Sequence, residues 1–340
     1  MLRKPLVTTC VAFVLSASVL AAETIEVDET IPRYVKKAGI SGTLNSIGSD
    51  TLSNLMTFWA EGFARYYPSV TVQVSGNGSS TAPPALTEGT AQLGPMSRVM
   101  KAEEIEAFER GRGYKPTAVG VGLDSLVVYV NKDNPVESLT LPQVDAIFSK
   151  TRRGGLESEI VTWGQVGVEG PLGRRPMSLY GRNSASGTYG FFKQVALYRG
   201  DFKDIVKEQP GSGSVVSGVA TDFAGVGYSG IGYRTSDVRW VPLSKRAGQP
   251  AFEPSYGNVL SGKYPLGRML YVYVDRPPSE PLAPMIAEFF RFVLSYEGQQ
   301  IVVKDGYLPL PAAVAQRERA KLVGVLNGGG RGNEAAGSPR

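Results

Sequence analysis

Met177-Ser178-Leu179-Tyr180-Gly181-Arg182-Asn183-Ser184-Ala185-Ser186-Gly187-Thr188-Tyr189-Gly190-Phe191-Phe192 reads as a strand, a polar corner and the start of a helix. Met177 to Tyr180 has strand character, and an apolar helical run follows the corner. The corner sets the Arg182 guanidinium beside hydroxyls and a glycine. A helix start offers backbone N–H groups with no internal partner, and its dipole favours negative charge. Gly187 lets a backbone approach closely, and Arg182 can meet two oxygens at once. The stretch therefore has the parts of a seat for a small oxyanion.

The same alternation extends in both directions. Thr43 to Ile47 reads as a strand ending at Gly48, and Leu52, Leu55, Met56, Trp59 and Phe63 then recur at helical spacing. Val70 to Val74 is a second strand, followed by Gly76-Asn77-Gly78-Ser79-Ser80 and by Pro83 and Pro84 in a first helical turn. Lys101 to Arg110 is a charged helix, and Pro142 to Phe148 a short one. Val226 to Tyr233 and Val238 to Leu243 read as strands, and Ile286 to Leu294 as an amphipathic helix. Two long β-rich stretches stand out, Val119 to Val130 and Arg268 to Asp275. The pattern predicts an α/β protein whose sheets are mixed and mostly parallel, flanked by helices. Ligands in such folds sit beyond the carboxyl ends of strands.

Three strand-to-helix corners carry Gly, Ser and Thr: Gly48-Ser49-Asp50-Thr51, Gly78-Ser79-Ser80-Thr81 and Ser186-Gly187-Thr188. Ordinary helix capping accounts for any one of them alone. Together, if they face one cleft, they form a shell of hydroxyls and amides, with Arg182 supplying charge. Asp50 then has two readings. It either caps the Leu52 helix or accepts the proton of a monohydrogen or dihydrogen phosphate. Sulfate has no such proton and would set lone pairs against lone pairs. Ser97-Arg98 is either a fourth loop or a surface turn. Gly211-Ser212-Gly213-Ser214 lacks the Gly-Lys-Ser/Thr ending of a nucleotide loop and reads as a loop entering a helix. Trp59 reads as core, and Arg199-Gly200-Asp201 as a chance tripeptide.

Composition excludes several chemistries. The chain has no histidine, and its one cysteine, Cys10, lies in an N-terminal stretch that reads as a signal peptide over 1–22. That stretch has Arg3 and Lys4 before an apolar run too short for a comfortable membrane span. A Ser-His-Asp triad, a thiol nucleophile, a disulfide and a zinc site of the usual type are thus not expected. Without Arg3 and Lys4, 34 basic residues face 31 acidic ones. That balance is too mild to argue for nucleic acid or a membrane surface. Residues 23–40 read as a loosely attached arm, and 327–340 as a disordered tail.

In four motifs the chain resembles the phosphate-binding proteins of bacterial phosphate-specific ABC transporters, a branch of the type II periplasmic binding proteins. These are Gly48-Ser49-Asp50-Thr51-Leu52, Gly78 to Pro84, Leu93-Gly94-Pro95-Met96-Ser97-Arg98 and Gly181 to Thr188. Leu123-Asp124-Ser125-Leu126 and Glu297-Gly298-Gln299-Gln300, running to Gly306-Tyr307-Leu308-Pro309-Leu310-Pro311, support it. The resemblance implies two lobes joined by two crossing strands, with lobe 1 over 41–122 and 268–326 and lobe 2 over 123–267. It implies a phosphate site of Ser49, Asp50, Thr51, Gly78, Ser79, Ser97, Arg182, Ser186, Gly187 and Thr188.

Two departures stand out. Where some relatives carry an aspartate that accepts the phosphate proton, this chain reads Met96-Ser97-Arg98, so the role falls to Asp50. Where some carry an aspartate beside the arginine, this chain has Ser184. Arg182 is then either less restrained or paired with Asp50. The expectation is a non-enzymatic, monomeric periplasmic phosphate receptor that docks on membrane permease subunits, with no cofactor and no nucleic acid. The alternatives are a receptor for sulfate, molybdate or tungstate, a secreted phosphatase, or a surface adhesion protein.

Overall fold

A computed structural model describes residues 25–278 and 280–322. The expected signal peptide and tail lie outside the described residues. The first third of the chain carries β1 (Gly42–Ile47), α1 (Ser53–Tyr66), β2 (Val70–Ser75), α2 (Ala82–Glu88), β3 (Gly94–Met96), α3 (Ala102–Arg112) and the long β4 (Thr117–Asn131). Then follow β5 (Leu139–Thr140), α4 (Leu141–Phe148), α5 (Gly170–Gly173), β6 (Ser178–Arg182), α6 (Gly187–Val195), β7 (Lys207–Gln209) and α7 (Ser212–Thr221). The middle segment ends with β8 (Gly225–Gly230), β9 (Val238–Trp240), β10 (Leu243–Ser244) and α8 (Tyr256–Leu260). The chain returns through β11 (Gly267–Val274), α9 (Pro284–Val293), α10 (Tyr296–Lys304) and α11 (Ala312–Ala320).

Apolar side chains are buried in two main cores. The terminal core draws on residues between Val27 and Val121 and again between Leu270 and Leu322, with Trp59, Phe63, Phe289 and Phe290 at its centre. The middle core runs from Leu126 to Leu266 and centres on Trp163, Phe148, Phe192 and Tyr228. Strand β4 serves both, giving Val119 and Val121 to one and Leu126 to Val130 to the other. A strand feeding two cores must be buried on both faces, and β4 is buried at nearly every position from Val119 to Asn131.

The main sheet runs β3-β11-β4-β8-β6-β7, with β9 also on β4. β6 pairs in parallel with β8 and β7, and β1 with β2. β11–β3, β11–β4 and β4–β8 are antiparallel. The parallel share is smaller than the β/α alternation suggested, because β4 and β11 run in opposite senses.

Gly120 and Gly122 do not break β4. Opposite Leu270 and Tyr271 the ladder skips Val121, and the Gly120 N–H donates instead to Glu318 Oε2 at 2.8 Å. Glycine here marks a bulge, where an extra residue is accommodated at low steric cost. Two expected strands are shorter than read. β8 stops at Gly230, where the next N–H, that of Ile231, turns to Asp124 Oδ1 at 3.2 Å. Pro242, which has no N–H, separates β9 from β10.

The arm is not loosely attached over its described part. Ile31 is buried, the Tyr34 N–H donates to Glu297 at 2.7 Å, and the Tyr34 hydroxyl donates to Glu288 at 2.6 Å. Polar composition concealed a few apolar anchors at Val27 and Ile31.

One acid is set apart by burial. Asp305, just after α10, has its Oδ2 buried without a hydrogen-bond partner among the described residues, and burial pushes its carboxyl up from 3.8 to about 7. The native state then holds a proton that the unfolded chain has already released. Stability therefore falls as pH rises from about 4 to about 7. Asp305→Asn is expected to raise the melting temperature at pH 8 and leave it nearly unchanged near pH 4. Thermal melts at both pH values check this, and equal shifts at both would contradict it.

Candidate functional site

Four corners meet where the two cores face each other. The first follows β1, where Asp50 to Leu52 forms a 3-10 turn ahead of α1. The second follows β2 and opens with Gly78 in a positive-φ conformation (φ 108°) before the turn Ser79 to Thr81. The third follows β3 at Ser97, and the fourth lies between β6 and α6. In each, a strand delivers the chain into a turn or bend.

The hydroxyls are buried and touch one another. Ser49 Oγ donates to Ser97 Oγ at 3.0 Å, and Ser79 Oγ stands 3.4 Å from Ser97 Oγ. Thr51 Oγ1 and Thr188 Oγ1 are 2.9 Å apart, joining a corner of the terminal core to one of the middle core. The backbones are equally close: the Ser80 N–H donates to Ala185 O at 3.1 Å. A Cβ placed on Gly187 would sit 2.1 Å from Ser79 Oγ and 2.6 Å from Ser97 Oγ. Only glycine allows this approach. The corners stand closed on one another.

Ser186 caps α6, its Oγ accepting from the Tyr189 N–H at 3.3 Å, so the capping reading holds there. It does not hold for Asp50 on its own helix. Asp50 makes no cap for the turn it begins. Its Oδ2 instead accepts from the Ser212 N–H at 2.9 Å and lies 3.0 Å from Arg182 Nη1. Asp50 thus caps α7, on the opposite side of the cleft, where Gly211 supplies no side chain. Of the two states left open for Arg182, the paired one is found.

Arg182 is almost fully buried. Its Nη1 also donates to Ser212 Oγ at 2.6 Å and its Nη2 to Pro210 O at 3.1 Å, while Nε has no partner among the described residues. Burial lowers the guanidinium from its usual value, and Asp50 beside it acts the other way.

Ser97 lies inside the cluster. Arg98 is held by Glu104, through Nη1 to Oε2 at 2.7 Å and Nη2 to Oε1 at 2.6 Å, and by Ser80 Oγ at 3.0 Å. Its charge is matched outside the hydroxyl cluster.

Several neighbours escaped the sequence reading. Tyr233 and Tyr307 hydroxyls donate to Asp50 O at 2.9 Å and Thr51 O at 2.7 Å, pinning the first corner from behind. Burial raises both phenols, which keeps them neutral donors. Arg268 on β11 and Asp124 on β4 form a buried ion pair beneath Thr188. A charge inside a β-rich apolar stretch was the available signal, since buried charges are paired or used.

A depression of about 950 Å³ lies elsewhere, lined by Pro142, Gly154, Tyr198 and Arg246 among others. It shares no residue with the four corners. The corners are the stronger candidate, because a shell of buried donors from separate loops has a chemical use that an open groove lacks.

Comparison with known proteins shows the family. A model of the PBP superfamily domain matches residues 36–297. The chain is 55% identical over 307 residues to the phosphate-binding protein PstS of Pseudomonas aeruginosa, covering 90% of this chain and 94% of that protein. It is 29% identical over 290 residues to protein SphX of Synechococcus elongatus, covering 83% of each. A phosphate ABC transporter substrate-binding protein of Clostridium perfringens, solved with bound phosphate, superposes with a TM-score of 0.67 at 26% identity, covering 79% of this chain and 100% of that one. An ABC-type phosphate transport receptor of Vibrio cholerae shares the fold, with a TM-score of 0.61 at 23% identity and coverage of 79% and 100%. Such proteins are receptors rather than enzymes. The chain belongs to the PBP superfamily, in the branch that holds the phosphate-binding proteins of phosphate-specific ABC transporters.

Proposed function

We propose that this protein captures inorganic phosphate between its two halves and delivers it to the permease subunits of an ABC transporter. The observation that carries the reading is the meeting of the buried Ser49, Thr51, Ser79, Ser97 and Thr188 hydroxyls, with Arg182 tied to the first corner through Asp50. The phosphate-binding set is Ser49, Asp50, Thr51, Gly78, Ser79, Ser97, Arg182, Ser186, Gly187 and Thr188. Hydroxyls and backbone N–H groups meet the anion oxygens, Arg182 supplies charge, and Asp50 accepts the phosphate proton. The lobes correspond to 41–122 with 268–326 and to 123–267. The protein acts as a monomer in the periplasm after loss of 1–22, without nucleic acid.

The ligand contacts both halves at once, so it binds the closed state better than the open one and shifts the population toward closure. A calorimetric titration with phosphate and sulfate side by side tests this. Tight binding of phosphate with little or none of sulfate is expected. Preference for sulfate, molybdate or tungstate would replace the ligand assignment.

Gly187→Ala is expected to weaken phosphate binding by about ten- to a hundredfold, since overpacking of this kind costs about 1–3 kcal/mol. The cost falls on the closed state, where the added carbon would overlap Ser79 Oγ. Titration of the variant, with a melt in the absence of phosphate, checks it. Unchanged affinity would mean that closure does not bring these corners together.

A further inference from the structure

A guanidinium has five N–H donors and no acceptor, so a buried one has to be matched donor by donor. Arg268 is nearly fully buried on β11, directly opposite Asp124 of β4 in the antiparallel ladder. Its Nε and Nη2 donate to Asp124 Oδ2 at 2.9 and 2.6 Å, and Nη2 also donates to Thr188 Oγ1 at 3.0 Å. Its Nη1 is buried with no partner among the described residues. Arg182 Nε is in the same state. Two of the four arginine nitrogens buried without a hydrogen-bond partner among the described residues thus lie beside these corners, on Arg182 where the α6 corner begins and on Arg268, which reaches the corner through Thr188. The fork geometry keeps Nη1 beside Nη2, and Nη2 already touches the cluster.

We infer that Arg268 is a second ligand-binding guanidinium, with Nη1 donating to the bound phosphate and Nη2 setting the Thr188 hydroxyl. The inference rests on the phosphate reading above and adds a residue to that site. Asp124 fixes the fork from behind. It is itself held by the Ile231 N–H and approached closely by Gly230, where a Cβ would stand 3.1 Å from Oδ2. β4 serves both cores and β11 pairs along it, so this donor is presented from the strands rather than from a corner loop. Arginine is needed there, because a lysine ammonium cannot serve Asp124, Thr188 and an anion from one planar fork.

The test is calorimetric titration of the unmutated protein and of Arg268→Lys with inorganic phosphate, with thermal melts in its absence. The variant is expected to bind phosphate about ten- to a hundredfold more weakly while still melting cooperatively. Affinity within about twofold of the unmutated protein would overturn the inference and leave the phosphate reading standing. Absence of phosphate binding by the unmutated protein would overturn both. If the lysine variant does not fold, a crystal structure of the unmutated protein with phosphate decides the matter. Nη1 within about 3 Å of a phosphate oxygen supports the inference, and a separation beyond about 4 Å refutes it.

Discussion

Arg182→Ala is expected to lower phosphate affinity by at least about a thousandfold, a loss of about 4 kcal/mol or more. The guanidinium is the one charge in the set donated by the middle core, and two of its nitrogens already hold Ser212 and Pro210 in place. In the proposed site its removal deletes the charge offered to the anion and loosens the wall that presents it. The fold is expected to survive. Asp50 keeps its bond from the Ser212 N–H and stays partly open to water, so no bare carboxylate is trapped in a dry interior. Calorimetry measures the affinity, and a melt without ligand separates binding from folding. Near-normal affinity in a folded variant would remove Arg182 from the site.

Asp50→Asn separates the clasp that the geometry shows from the proton-acceptor role proposed above. As the clasp between the first corner and α7, Asp50 favours closure around any anion, so its loss weakens phosphate and sulfate alike. As an acceptor for a ligand proton it matters only for phosphate, because sulfate has no proton to give. The expected result is a fall in the phosphate-to-sulfate affinity ratio by about a hundredfold, beyond any common weakening. Parallel titrations with both anions read the ratio directly. If both affinities drop and the ratio holds, Asp50 is a clasp alone.

Much of the scaffold was legible because its signals are local. Helical spacing from Leu52 to Phe63 gave α1, Pro83 and Pro84 marked the first turn of α2, and the two long β-rich stretches gave β4 and β11. The arm was misread because two buried anchors, Val27 and Ile31, are too few to raise a polar stretch above background. The strand over Val226 to Tyr233 was drawn too long because its end depends on Asp124, a hundred positions away in the chain.

The site divides in the same way. Chain order alone placed Ser49, Thr51, Ser79, Ser186, Gly187 and Thr188 at strand-to-helix corners and named Arg182 as the cation, since hydroxyls, glycine and a helix start are adjacent in sequence. Tertiary structure alone decided that Asp50 caps α7 rather than its own helix, that Arg182 pairs with Asp50, and that Arg268 with Asp124 lies beneath Thr188. Sequence encodes which backbone turns a corner, because propensity and capping act over a few residues. Which charges meet is set by how two separately buried cores dock, and that docking joins residues up to 183 positions apart.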